Sequence, residues 1–317
     1  MNTTIPWQPF DVPPNITKTG MYVGTSGYYF DDWIGVFNPP PRRGAKALQE
    51  ISDEEKRAEA AADQDRLRFY QKFFSFVEIN NTFYSEPSLS HFIDMESRSK
   101  ESMLYSVKVH QDISHTRNVD IVTGQDMMRR HITAAGPLIE TGRFFSFLIQ
   151  LDDHVFRTQK RLDYLMAVAS VAILERIDVH IEFRHISWHD EHVLTALKNN
   201  GIGICNTEIP QVPHAFPLKA YATTDKGYIR YNGLNLENWY SNKDKKQFST
   251  KERIAQRNAR YNYEYSEDEL LQRVKGQLIL HAKTVSTVIA FNNHFQAKAI
   301  RNAIKNMQIL FERLKVP

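Results

Sequence analysis

Eight short apolar runs with polar residues at alternate positions constrain this chain more than any other feature. In VEIN, residues 77–80, Val77 and Ile79 alternate with Glu78 and Asn80. In HIEFR, residues 180–184, Ile181 and Phe183 alternate with His180, Glu182 and Arg184. Strand side chains point to opposite faces with a period of two, so each run has an oily face and a polar face. An inward carboxylate costs roughly several kcal/mol unless it is paired. Eight strands that carry this cost read as a barrel with a polar, functional mouth.

The runs are MYVGTS (21–26), FSFVEIN (74–80), LYSVKVH (104–110), FFSFLIQL (144–151), DVHIEF (178–183), GIGICN (201–206), GYIRYN (227–232) and STVIAFN (286–292). Helix-like segments lie between them. Ser52 with Glu55 starts one helix, and Ser266 with Glu269 starts another, each as a capping box. KRLDYLMAVASVAIL has helical spacing, EHVLTALKNNG stops at Gly201, and QAKAIRNAIKNMQILFERL is amphipathic. Strand–helix alternation predicts a parallel α/β sheet, and eight strands close a (β/α)8 TIM barrel. A doubly wound open sheet is the alternative, but the first strand–helix turn, GTSGYYFDDW, is not a dinucleotide fingerprint. The expected organisation is an N-terminal Pro-rich arm over 1–20 and one barrel domain over 21–317. Long excursions are expected at about 27–66 and 233–265.

The 317 residues are 42% hydrophobic and 24% charged, which fits a folded chain. No apolar run approaches the roughly 18 residues of a membrane helix, and no membrane partner is expected. The N-terminus lacks a basic start and an apolar core, so it does not read as a signal peptide. The single cysteine, Cys205, leaves no internal disulfide and no cysteine-based zinc site. A cytoplasmic location is the expectation from these features. The net charge of +3 is too small to argue nucleic-acid binding by itself. No feature assigns an oligomeric state.

With the apolar faces outward, the inward set becomes Ser26, Glu78, Asn80, Lys108, His110, Gln150, His180, Glu182, Arg184, Arg230, Asn232 and Asn292. Chemistry on this fold sits at the C-terminal strand ends. Two carboxylates stand against Lys108, Arg184 and Arg230, a balance that favours a small anionic or phosphate-bearing substrate. The competing reading is a self-satisfied ion network that fills the barrel. Glu78 and Glu182, on strands two and five, face each other as a glycosidase pair would. Glu182 is the expected general acid or base and Glu78 its partner. Lys108 is an acid or imine-forming amine, unless it is simply a salt-bridge partner.

Twelve histidines occur without an HExxH or HxH motif or an Asp-rich loop, so no metal and no cofactor are expected. His110, His115, His185 and His294 follow strand ends, and each reads singly as a hydrogen-bonded polar residue. From Trp239 to Tyr265, basic residues interleave with aromatic ones, a composition suited to nucleic acid. A surface helix anchored by its aromatics is the favoured reading there. An anion is expected beside strands seven and eight, near Arg230, Asn232, Gly233 and Asn292.

GTSGYYFDDWIGVF, FVEINNTFY, YSVKVHQDISH, IEFRHISW, YIRYNGLNLENWY, YNYEYSEDEL and IAFNNHFQAKAIRNA resemble, in order, the motifs of the YecE-like family, also called domain of unknown function family 72. The resemblance runs from about residue 21 to 310. It implies a TIM barrel and, by an analogy to endonuclease IV barrels, a nucleic-acid-processing alternative that uses metal. The motif positions fall on Gly24, Thr25, Ser26, Glu78, Asn80, Thr82, Phe83, Tyr84, Lys108 and His115 in the first half. In the second half they fall on Glu182, Arg184, Trp188, Arg230, Gly233, Trp239, Tyr240, Asn292, Asn293 and His294. Family members commonly have histidine where this chain has Asn232. Many have glycine soon after the Asn-Asn-His motif, where this chain has Phe295, Gln296 and Ala297. The connection at 40–66 is longer than usual.

The resulting expectation is a barrel enzyme of hydrolase or lyase type. Glu182, Glu78 and Lys108 would be catalytic. Ser26, Asn80, Tyr84, His110, His115, Arg184, Trp188, Arg230, Asn232, Trp239, Asn292 and His294 would bind substrate. A non-catalytic ligand-binding barrel is the remaining alternative.

Overall fold

A computed structural model describes residues 8–40, 65–116, 120–239 and 258–314. Eight parallel strands close into a barrel in sequence order. They are β1 Met21–Ser26, β2 Phe76–Ile79, β3 Leu104–Lys108, β4 Phe144–Gln150, β5 Val179–Glu182, β6 Gly203–Glu208, β7 Lys226–Tyr231 and β8 Ser286–Phe291. The ring closes where Val23 of β1 pairs with Ile289 of β8. The barrel expectation therefore holds, as do all eight strand positions to within two residues at each end.

The described helices are α1 Arg66–Tyr70, α2 Leu89–Ser97, α3 Gln111–Ser114, α4 Ile121–Glu140, α5 Gln159–Leu174, α6 Glu191–Asn199, α7 Leu236–Trp239, α8 Glu267–His281 and α9 Lys298–Leu314. Their starts follow capping chemistry: Asp120, Thr158 and Asp190 each accept a backbone N–H of the first turn. At α8 the capping box forms in full, with Ser266 and Glu269 each bonding the other's backbone N–H. The expected capping box at Ser52 and Glu55 lies outside the described residues. In α9, Ile300, Ala303, Ile304, Met307 and Leu310 form the buried stripe that seats it on the barrel. No helix of the described residues is long and apolar enough to cross a membrane.

The connection from β6 to β7 contains no helix. It carries Pro210, Pro213 and Pro217, which remove amide donors and disfavour helix. Asn206 holds it to the barrel instead: its amide donates to the Tyr221 carbonyl and accepts from the Tyr221 N–H, both at 2.9 Å.

Two apolar regions flank the barrel wall. Outward residues such as Val77, Ile79, Val107, Ile149 and Ile181 join the large core beneath the helices. A smaller cluster of Phe76, Phe145, Leu148, Cys205, Tyr228, Val288 and Ala290 packs together as a separate core. Two residues further along their strands, Phe76, Leu148 and Tyr228 give way to Glu78, Gln150 and Arg230. Strand periodicity thus stacks a polar layer above an apolar plug. His180 belongs to the plug: its ring stacks on Phe145 at 5.8 Å, and burial lowers it to about 4, so it is neutral.

Candidate active site

Arg230 is the centre of the polar layer. Its side chain is 1% exposed, and the two carboxylates it binds are fully buried. Its Nε donates to Glu78 Oε2 at 2.7 Å and its Nη2 to Glu78 Oε1 at 2.8 Å, a forked pair. Its Nη1 donates to Glu182 Oε2. Arg184 Nε donates to the other Glu182 oxygen at 2.8 Å. Glu78 also accepts from Ser26 Oγ at 2.9 Å and from the Tyr228 hydroxyl at 2.7 Å. Burial alone would raise the Glu182 carboxyl, but the guanidinium groups of Arg230 and Arg184 outweigh it and hold it at about 2.

Lys108 stands at the end of β3. Its Nζ donates to Gln150 Oε1 at 2.6 Å and lies 3.6 Å from the centre of the Phe83 ring. The turn that presents Phe83 is tied to β3 by the Thr82 hydroxyl, which donates to the Lys108 carbonyl at 2.6 Å. Burial, reinforced by the positive charges of Arg230 and Arg184, brings the ammonium down to about 7, although Glu78 and Glu182 pull the other way. Among the described residues, the short polar contact of Lys108 is with a neutral amide and not with a carboxylate.

A cavity of about 120 Å3 opens over this layer. Its described lining holds Lys108 and Arg230, three asparagines including Asn80 and Asn292, His294, and the rings of Phe30, Tyr84 and Tyr261. No carboxylate occurs in that described lining. His294 is sandwiched by aromatic rings, stacked on Phe30 at 4.1 Å and tilted against Tyr261 at 4.8 Å.

The geometry thus gathers Ser26, Asn80, Tyr84, Glu78, Lys108, Glu182, Arg184, Arg230, Asn292 and His294 around one mouth. Asn232 joins through Asn292, whose amide donates to it at 2.8 Å. Trp239 joins through Arg184, whose guanidinium carbon is 5.6 Å from the indole centre. Three expected residues have other partners. His110 caps α3 by accepting the Asp112 N–H. His115 pairs with Asp152 at 3.5 Å and packs edge-on to Phe83. Trp188 stacks on Phe183 and donates to the Val155 carbonyl at 2.7 Å.

The donors expected to hold an anion beside β7 and β8 are already engaged. The Gly233 N–H donates to the Tyr265 hydroxyl, and the Asn232 amide donates to Thr207 and the Glu208 carbonyl. A Cβ at Gly233 would meet Tyr263 at 2.7 Å, so glycine there admits a tyrosine. The basic excursion lies largely in 240–257, outside the described residues. Its described aromatics are anchors: Trp239 packs against Tyr261, and the Tyr263 hydroxyl donates to Glu269. Just after the Asn-Asn-His motif, Gln296 and Ala297 adopt left-handed backbone at φ 50° and 58°. Asp32 holds this strained turn by accepting the Gln296 N–H at 2.7 Å.

Sequence reasoning passed over Tyr228 and Phe30. Tyr228 shares strand and face with Arg230, two residues apart, so alternation contains the signal. Phe30 enters from the β1 loop, where no period exists to find it. The described residues contain one grouping with metal-ligand spacing, Asp152, Asp153 and His154, just beyond β4.

Comparison with known proteins places this geometry in context. The model of the family described as "Protein of unknown function DUF72" matches residues 22–316. The UPF0759 protein YunF of Bacillus subtilis (strain 168) is 22% identical over 257 residues, covering 78% of this chain and 88% of its own. A solved DUF72 family protein of Thermotoga maritima MSB8 superposes with a TM-score of 0.70 at 26% identity, covering 93% of this chain and 99% of the other. Another, from Enterococcus faecalis V583, gives 0.71 at 19% identity, covering 92% and 95%. With a family match across nearly its whole length and the same barrel in solved members, the chain belongs to the DUF72 family.

Proposed function

We propose that this chain is a barrel enzyme of hydrolase or lyase type that acts on a small anionic substrate, with Lys108 as the proton-transferring group. The observation that carries this reading is the mouth cavity, whose described lining has two cations and no carboxylate. Glu78 and Glu182 are balanced by Arg230 and Arg184, so Lys108 supplies the net positive charge. An amine near 7 is present in both protonation states at neutral pH, which suits general acid–base work. Glu182, held near 2 with an arginine on each oxygen, is a poor proton acceptor at that pH. Its role here is to fix the two guanidinium groups, and Glu78 does the same for Arg230.

Binding and protonation are linked. An anion about 4 Å from the ammonium gains about 4 kcal/mol at an effective dielectric constant of about 20, equivalent to about three pK units. Substrate arrival therefore protonates Lys108 and readies it to donate to a departing oxygen. Calorimetric titration with sulfate, whose charge is constant over this range, tests the reading. Affinity should fall about tenfold per pH unit above 7 in the natural protein. It should be weak and nearly pH-independent in Lys108→Met. Equal sulfate affinity at pH 6 and pH 9 in the natural protein would contradict the proposal.

A further inference from the structure

A second, larger cavity adjoins the mouth. It measures about 540 Å3, within the range of small-molecule sites. Phe30, Asn80 and Tyr84 line both cavities, so they form the partition between them. Beyond the partition the larger cleft is rich in rings: Tyr28, Tyr29 and His91 line it along with Phe30 and Tyr84. The Arg66 guanidinium carbon lies over Tyr29, 3.3 Å from the ring centre. Arg66 and Tyr29 thus already show the stacking the cleft can offer a flat guest.

One polar atom at the partition lacks a partner. Asn80 Oδ1 is buried and accepts no hydrogen bond among the described residues. A buried acceptor without a donor costs free energy, and a bound group with an N–H or O–H relieves that cost. If the amide is turned over, the same site instead presents a donor to an acceptor on the guest.

We infer that the substrate has two parts: an anionic head in the mouth against Lys108, and a planar aromatic or heteroaromatic group in the adjoining cleft, with a polar substituent at Asn80. This names the substrate class of the proposed site and rests on that reading. The two cavities share a wall, so one small molecule can occupy both. An aliphatic anion would fill only the mouth and leave the ring-lined cleft to water.

Calorimetry at pH 6 with methyl sulfate and phenyl sulfate separates the two parts, because both heads are constant monoanions there and only the ring differs. Phenyl sulfate should bind about tenfold more tightly, the gain expected from one well-stacked ring. In Tyr29→Ala, a half-buried position on the loop after β1 that lies outside the barrel wall, that ratio should shrink to about threefold or less. Competition by sulfate should displace both esters. Equal affinity of the two esters in the natural protein overturns the ring assignment while leaving the anionic mouth standing. Failure of either ester to bind overturns both. A tenfold preference that survives Tyr29→Ala and also His91→Ala overturns the placement of the ring in this cleft.

Discussion

Replacing Arg230 by methionine tests the polar layer most severely. Methionine fills much of the volume but leaves Glu78 and Glu182, both fully buried, without their shared guanidinium. Breaking such a pair costs about 3–5 kcal/mol. Unfolding entropy of about 2.1 cal/mol/K per residue over the 317 residues converts this to a fall in Tm of about 5–7 °C. The pH dependence gives a sharper signature. In the natural protein the Glu182 carboxyl is lowered from 4.5 to about 2, worth about 3 kcal/mol. That stability is fully present above 4.5 and is lost as pH falls toward 2. In Arg230→Met the Glu182 carboxyl loses its largest lowering charge and rises from about 2, with burial now opposed by Arg184 alone. The penalty of the lost counter-ion is full at pH 8 and is relieved as acid protonates the buried pocket. Scanning calorimetry at pH 5, 6.5 and 8 should therefore show a deficit that is largest at pH 8 and shrinks at pH 5. A deficit below about 2 °C, or one that widens on acidification, would refute the assignment of Arg230 as the counter-ion of both carboxylates.

Other substitutions give distinct outcomes. Lys108→Met should raise Tm, and by more at pH 6 than at pH 9, because the buried ammonium lowered from 10.5 to about 7 penalises the fold most where it is charged; calorimetry at the two pH values checks the order. Glu182→Gln should lower stability by about 3 kcal/mol in denaturant unfolding, since it strands part of Arg184 and Arg230. Gln296→Gly should raise Tm by about 1 °C, because glycine accepts the left-handed backbone that glutamine holds at φ 50°; an unchanged or lower Tm would show that the turn stores no strain.

Much of the barrel was legible because strand periodicity is local. Glu78, Lys108, Glu182 and Arg230 lie on four different strands, yet alternation alone placed all four inward. The sixth strand was read two residues early, since Gly201 and Gly203 fit either face. In the fold, a Cβ at Gly203 would lie 2.3 Å from the His180 ring, so that glycine exists to admit a plug residue. The strand then runs on to Glu208, whose carboxylate pairs with Arg273 of α8 at 2.9 Å. The longest described helix, α4, was passed over because Gly124 and Pro137 interrupt its pattern. Gly124 is explained only by tertiary contact: a Cβ there would meet the Tyr164 hydroxyl at 2.7 Å. The character of Lys108 was likewise invisible. It depends on Gln150 from the next strand and Phe83 from a preceding turn, and neither contact has a signature in sequence spacing.

The proposed proton transfer depends on Lys108 titrating near neutrality. Side-chain NMR of protein carrying labelled lysine, with the Lys108 signal identified by its loss in Lys108→Arg, measures this directly. The predicted midpoint is about 7, moving upward when sulfate is added. A midpoint above about 9.5, in the ordinary lysine range, would contradict the proposed role of Lys108 at the barrel mouth.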